Sequence, residues 1–215
     1  MTITNIQAQK AALYFTILVY VSGMIGMQTS WCDWFIGLTP ASLLLSVGVL
    51  LWWQPIHNSR TRSWAIGAFA IGFLSEVIGV NTGMLFGNYQ YGDTLGPKLW
   101  STPLMIGANW LMVTYIVNET VWRILPKKTM PFIGAVLVAV GCTMFDWWIE
   151  PGAISLGYWG WATGIPLADN YFGWFFVSLI VALVYYRLMT PALRNNFAPL
   201  LLALQLVFFG VLRFW

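Results

Sequence analysis

Three carboxylic acids, Glu76, Asp146 and Glu150, stand in strongly apolar stretches of the chain. A carboxylate inside a membrane-length apolar segment costs on the order of a few kcal/mol, so by default it faces a bundle interior and has a task. Glu76 is the most deeply placed. Gly72, Gly79 and Gly83 recur with it at spacings of four, three and four, on one helix face. Small residues there let a second helix come close. Glu76 is then either one hydrogen-bonded acid in a packing seam or a proton-handling acid in a cleft. Asp146 and Glu150 are one helical turn apart, and two carboxyls at that spacing resist ionising together, a physical route to an acid that keeps its proton near neutral pH. The plain alternative is an interfacial capping pair, because Pro151 follows Glu150.

Further polar groups gather with them. Asp93 follows the third apolar segment, Asp169 and Asn170 precede the sixth, and Asn109 lies inside the fourth, where an amide needs a partner. Glu119 stands apart and is placed to pair with Arg123 at i,i+4. Trp52, Trp53 and Trp215, at segment ends, fit an interfacial belt. A second aromatic set, Tyr89, Tyr91, Trp100, Trp147, Trp148, Tyr158, Trp159, Trp161, Tyr171 and Trp174, flanks the same loops as the acids. Aromatic faces stabilise positive charge. Acids and aromatics at one end of a bundle suit a long apolar substrate that reacts through a cation; an ordinary aromatic belt is the competing reading.

The elements that position these groups follow from composition. Of 215 residues, 59% are hydrophobic and 8% charged, with a mean hydropathy of +0.73; a soluble domain is about a quarter charged. The chain reads as an integral membrane protein. Seven segments reach the roughly 17–25 residues of a membrane helix, at about 11–28, 35–53, 64–86, 103–122, 131–149, 171–189 and 197–213. None alternates as a barrel strand does. Pro40 and Pro131 fall in the opening turns, where a missing donor costs little. With seven spans, Lys10, Arg60, Arg62, Arg123, Lys127, Lys128, Arg187 and Arg194 fall on the N-terminal side and Lys98 and Arg213 on the other. By the positive-inside rule the N-terminus is cytoplasmic and the C-terminus outside.

The expected fold class is therefore all-α, a polytopic bundle of seven transmembrane helices forming one domain over residues 1–215. The net charge of +3 is not gathered into a basic, aromatic-interleaved stripe, so a nucleic-acid partner is not expected. Cys32, Cys142 and His57 do not make a metal or disulfide pattern, and no metal is expected. The opening MTITNIQAQK lacks the basic region and cleavage site of a signal peptide, so the first segment is expected to be kept as a span.

Two blocks, Glu76 to Trp110 and Asp146 to Trp174, resemble the signature blocks of the membrane carotenoid biosynthesis family that includes the carotenoid 1,2-hydratases. The matching elements are Glu76, Phe86-Gly87-Asn88-Tyr89-Gln90-Tyr91 and Leu95-Gly96-Pro97 in the first block. In the second they are Asp146, Pro151, Trp159-Gly160-Trp161, Gly164-Ile165-Pro166 and Asn170-Tyr171-Phe172-Gly173-Trp174. Gly107 stands where the family pattern has Pro, and Asp169 where a neutral residue is usual. The resemblance implies addition of water to the terminal trisubstituted double bond of an acyclic carotenoid end, giving a tertiary alcohol, in a bacterial or archaeal cytoplasmic membrane.

That chemistry needs a proton donor, a tolerated tertiary cation and a delivered water, and no cofactor. On this reading Asp146 or Glu76 donates the proton, and Asp93, Glu150 or Asp169 orients or deprotonates water. Tyr89, Tyr91, Asn109, Trp110, Trp159, Trp161, Asn170 and Trp174 bind the substrate, with Asn81, Asn109 or Asn170 steadying the carboxylate formed. The partners are a lipophilic carotenoid and membrane lipid. Three rivals remain. A lycopene-cyclase-like enzyme would protonate the same alkene and exclude water. A small-solute transporter would use Glu76 as a coupling acid, although no internal duplication is visible. A purely structural bundle would leave the clustered acids without a purpose. A retinal photoreceptor is excluded, since the seventh segment has no Lys.

Overall fold

The computed structural model describes residues 3–53, 59–126, 129–189 and 195–213. His57, Lys127, Lys128, Arg194 and Trp215 lie outside them. Six of the seven apolar segments each overlap one long helix, and the second is shared between two. In chain order the helices are α1 (Ile3–Gly26), the short α2 (Cys32–Gly37), α3 (Thr39–Trp53), α4 (Ser59–Thr82), α5 (Leu104–Ile124), α6 (Pro131–Ser155), α7 (Ala168–Leu188) and α8 (Phe197–Arg213).

Four of them, α1 from Gln7 onward, α4, α6 and α7, are long and apolar enough to cross a membrane. The apolar helices α3 and α8, at 15 and 17 residues, extend about 22 and 26 Å against a hydrocarbon core of about 30 Å. The remaining long helix, α5, is the axis of the bundle, packed by α3, α4, α6, α7 and α8. Its residues from Ile106 to Glu119 are buried except Asn109. A helix shielded by protein on every side need not be apolar enough for lipid, and α5 accordingly carries Asn109, Thr114, Asn118 and Glu119.

Of the boundaries that differ from the sequence expectation, three bear on the site. The second segment is not one helix from residue 35: it breaks at Leu38 between α2 and α3. Pro40 has no N–H to give the Ile36 carbonyl, so a continuous helix would leave that carbonyl unpaired. α4 stops at Thr82, where Gly83 takes φ +70° and returns its N–H to Gly79 O at 2.7 Å, a left-handed helix end that glycine adopts without a Cβ penalty. α6 runs through Pro151 to Ser155, so Glu150 is not a capping residue in headgroup water but lies inside a helix, 3% exposed.

Two short β pairs occupy the long connections. β1 (Tyr89–Tyr91) pairs antiparallel with β4 (Trp159–Trp161), in the register Tyr89 opposite Trp161 and Tyr91 opposite Trp159. β2 (Lys98–Leu99) and β3 (Thr102–Pro103) form a hairpin whose two turn residues, Trp100 and Ser101, both have positive φ, as the right-handed twist of paired strands favours. The two connections touch at Gly92, whose N–H donates to Tyr158 O at 2.9 Å. A Cβ there would come within 2.0 Å of the Gly157 carbonyl oxygen, so no larger residue fits without separating them.

The expected Glu119–Arg123 pair is replaced by other partners. Glu119 is buried and accepts hydrogen bonds from the Tyr185 hydroxyl and the Asn195 backbone N–H. Arg123 donates instead to the Asn195 carbonyl at 2.8 Å and to Asn196 Oδ1 at 3.0 Å. The start of α8 comes back over the end of α5 and offers both side chains better-matched groups than each other. Of the belt aromatics, Trp52, Trp100 and Trp147 are exposed, and the Arg213 guanidinium sits 4.8 Å over the Trp147 ring. Trp53 is stacked on Phe197 at 5.3 Å.

Candidate active site

Period-two alternation sends Tyr89, Tyr91, Trp159 and Trp161 to one face of the β1–β4 ribbon. That face closes over α4 and α6 and hydrogen-bonds their carboxyls. Glu76, on α4, accepts at Oε2 from the hydroxyls of Tyr89 and Tyr91, the latter at 2.7 Å, and at Oε1 from the Trp110 indole N–H at 2.9 Å. The indole reaches Glu76 because Gly72 clears the way: a Cβ on Gly72 would lie 2.3 Å from Trp110 Cβ. The glycine face that marked the α4 sequence thus admits α5 as expected. Trp110 is in turn held by face-to-face stacking on Trp174 of α7, with centroids 4.0 Å apart.

The two carboxyls of α6 are served more sparsely. Glu150 accepts at Oε1 from both Trp159 and Trp161 indole N–H groups, at 2.8 Å from the former. Asp146 accepts at Oδ2 from the Asn170 amide at 2.7 Å. Among the described residues the second oxygens, Asp146 Oδ1 and Glu150 Oε2, accept no hydrogen bond. No described Lys or Arg lines the space that the three acids share. Tyr89 and Tyr91, which lie in the connection outside the helices, have phenols pushed well up by burial and by the neighbouring Glu76 carboxyl. They stay protonated, and therefore donors, at neutral pH.

The shared space is about 20 Å³, room for about one water molecule. Glu76, Asp146 and Glu150 line it, and so do all eight side chains expected to bind substrate: Tyr89, Tyr91, Asn109, Trp110, Trp159, Trp161, Asn170 and Trp174. Ile106, Asn109 and Trp159 also line a second, apolar cavity of about 360 Å³ between α1, α2, α3, α5, α6 and α8, within the range of roughly 300–1,000 Å³ usual for small-molecule sites. One water-sized acidic chamber therefore adjoins one hydrocarbon-sized apolar one.

Two expected catalytic acids are elsewhere. Asp93 is fully exposed and paired with Lys98 at 2.7 Å; the hydrogen bond from Lys98 and its charge hold the Asp93 carboxyl below the usual carboxylate range. Asp169 is exposed in the first turn of α7, because one residue along a helix is a rotation of about 100°, and the neighbouring position, Asn170, takes the inward direction. Asn81 is also turned away, donating to the Val77 and Trp100 carbonyls. Gly107 leaves α5 unbroken and serves packing, since a Cβ there would lie 2.6 Å from the Phe69 ring.

Sequence reading passed over Tyr20 and Gln205, which line the apolar cavity. The criterion that singled out Asn109, an amide inside an apolar segment, applies equally to Gln205. It also missed the β1–β4 pairing, although Tyr-x-Tyr and Trp-x-Trp both carry the period-two signal of a strand.

In chemical terms the site combines a carboxyl surrounded by donors, two carboxyls each with one open oxygen, aromatic walls, and an apolar chamber alongside. A family model described as carotenoid biosynthesis protein matches residues 34–214. A bisanhydrobacterioruberin hydratase of Haloarcula japonica is 22% identical over 186 residues, covering 79% of this chain and 59% of that protein. The chain thus spans 59% of the length of that curated relative. No solved structure matches it. The matched span takes in every residue that lines the carboxyl chamber, and the chain belongs to the carotenoid biosynthesis protein family.

Proposed function

We propose that the protein is a carotenoid 1,2-hydratase that adds water to the terminal double bond of an acyclic carotenoid end without a cofactor. It works as a seven-helix protein of the cytoplasmic membrane with its basic loops inside. The observation that carries this reading is the pairing of a three-carboxyl chamber of about 20 Å³ with an apolar cavity of about 360 Å³. The relative named as a hydratase supports the reaction class.

Hydrogen bonding assigns the roles. Asp146 has one donor and an open oxygen, so it is the carboxyl best suited to carry the proton. It gives that proton to C2 of the alkene; the π electrons form the new C–H bond and leave a tertiary cation at C1. Glu76, whose two oxygens accept from three donors, and the surrounding aromatic faces stabilise that cation. The enclosed water attacks C1 through oxygen and loses a proton to the open oxygen of Glu150. The indole N–H groups of Trp159 and Trp161 hold the other Glu150 oxygen and so aim the open one at the chamber. Return of the proton from Glu150 to Asp146, one turn away, restores the starting state. The sum is alkene plus water to tertiary alcohol, with no net oxidation of the substrate, so no redox cofactor enters.

Cyclisation starts from the same cation. The room for a water beside Asp146 favours hydration. Expression in a host that accumulates an acyclic carotenoid separates the two: a pigment heavier by one water supports hydration, and an isomer of unchanged mass overturns it. In the same host Asp93→Ala and Asp169→Ala should leave the yield within about twofold, as expected for exposed groups outside the chamber; a collapse in yield from either would restore them to the site.

A further inference from the structure

The wall of the apolar cavity carries polar groups that the proposed chemistry does not use. Tyr20 of α1 and Gln205 of α8 line it. Ser46 of α3 stands behind them, 3.0 Å from the Tyr20 hydroxyl. The protons here are all committed. Ser46 gives its own to the Ser42 carbonyl at 2.8 Å. Tyr20 therefore donates to Ser46 Oγ, and its oxygen accepts from the Gln205 amide N–H at 2.6 Å. The same amide nitrogen lies 3.6 Å from Met112 Sδ.

What is left over is an acceptor. Gln205 is only 4% exposed, and among the described residues its Oε1 accepts no hydrogen bond. A carbonyl that a ligand covers without offering it a donor is costly. An apolar ligand would leave it unpaired, and a ligand with an O–H group at that height would satisfy it. Met112, which Gln205 touches, follows Asn109 by three positions on α5, about 4.5 Å along the axis, and Asn109 is where the cavity meets the carboxyl chamber.

We propose that Gln205, oriented by Tyr20 and Ser46, is a hydroxyl-accepting subsite of the apolar cavity, and that it binds the tertiary alcohol end of the hydrated polyene in preference to the unreacted alkene end. This rests on the hydratase reading for the identity of the alcohol. An alcohol formed beside Asn109 moves by about one helical turn to reach Gln205 Oε1, which clears the carboxyl chamber for the next water. The site thereby favours the product-bound state over return of the alcohol to the acid.

The test is equilibrium binding, which is independent of turnover. The full chain in phospholipid vesicles is titrated with an acyclic C40 polyene, and separately with its 1-hydroxy-1,2-dihydro derivative, following the quenching of tryptophan fluorescence by the polyene. The wild-type protein should bind the alcohol about 2–10-fold more tightly than the hydrocarbon, the worth of one buried hydrogen bond. Gln205→Leu should bring the ratio to one by weakening the alcohol alone. Tyr20→Phe, which keeps the ring but frees the amide to rotate, should lower the ratio as well and serves if Gln205→Leu does not fold. Equal affinities in the wild type, the result if a water already holds Gln205 Oε1, would overturn the proposal. So would a preference that survives both variants, or no saturable binding of either probe. Failure of the hydratase reading looks different: no pigment heavier by one water appears in the expression host, whatever the binding ratio.

Discussion

Asp146→Asn is expected to lower hydration by ~10²–10⁴-fold, the usual worth of a positioned general acid, while the protein stays folded. The asparagine is isosteric, and its carbonyl oxygen can still accept the Asn170 N–H that Asp146 Oδ2 now receives at 2.7 Å. What disappears is the transferable proton. A carboxyl is needed here for a specific reason: alkenes are poor bases, so the donor must give up its proton and then tolerate being an anion inside a bundle. Asn170 is placed to give one hydrogen bond to that anion, and a water in the chamber would give a second at the open oxygen. The pair with Glu150 adds a signature. On the proposed return of the proton from Glu150 to Asp146, Glu150→Gln should also slow turnover while still permitting a single protonation. Mixing enzyme with substrate in D₂O and following deuterium at C2 separates the steps: Asp146→Asn should place none, and Glu150→Gln should place it before the alcohol accumulates. Hydrated product at wild-type yield from Asp146→Asn would remove Asp146 from the mechanism.

The difference between these acids and the two that lie outside the chamber shows how far a sequence can be read. Glu76, Asp146 and Glu150 were legible because hydrocarbon makes an intrahelical carboxyl expensive; the cost itself points inward. Asp93 and Asp169 stand near the same loops, and nearness along the chain carries no direction. Asp169 and Asn170 are neighbours, yet only Asn170 faces Asp146. Helix existence was readable from the apolar segments, since lipid imposes length and composition. Helix ends were not. Pro151 reads as a stop, but a proline within a helix removes one donor, and α6 continues past it, carrying Glu150 into the interior.

Long-range pairing was the least visible. The i,i+4 rule joins Glu119 to Arg123 on an isolated helix, and the returning Asn195 and Asn196 defeat it. Nothing local announces that Tyr89 will lie opposite Trp161 across an intervening pair of helices. The same non-local step, closing the β1–β4 ribbon over the bundle, turns three separate acids into one chamber.

Glu76 is the second test with a large expected effect, and two substitutions divide its roles. Glu76→Leu leaves three buried donors, the Tyr89 and Tyr91 hydroxyls and the Trp110 indole N–H, without an acceptor. At about 1–3 kcal/mol for each unsatisfied buried group, that loss is comparable to a typical total stability of about 5–15 kcal/mol, so this variant should be severely destabilised in detergent. Glu76→Gln keeps the shape. Its carbonyl can face Trp110, which only donates, and its NH₂ can face the two tyrosine oxygens, which can accept. The fold should therefore survive with a modest loss of thermal stability, and only the capacity of this position to carry a negative charge is removed. If that charge faces the tertiary cation, kcat should fall by about 10²-fold, the scale for deleting one preorganised electrostatic partner. KM should change little, because the alkene is neutral before protonation and gains nothing from an anion in the ground state. A folded Glu76→Gln protein with wild-type kcat would make Glu76 a packing acid whose work is to hold the ribbon to α4, and would shift cation stabilisation onto Glu150 and the aromatic walls.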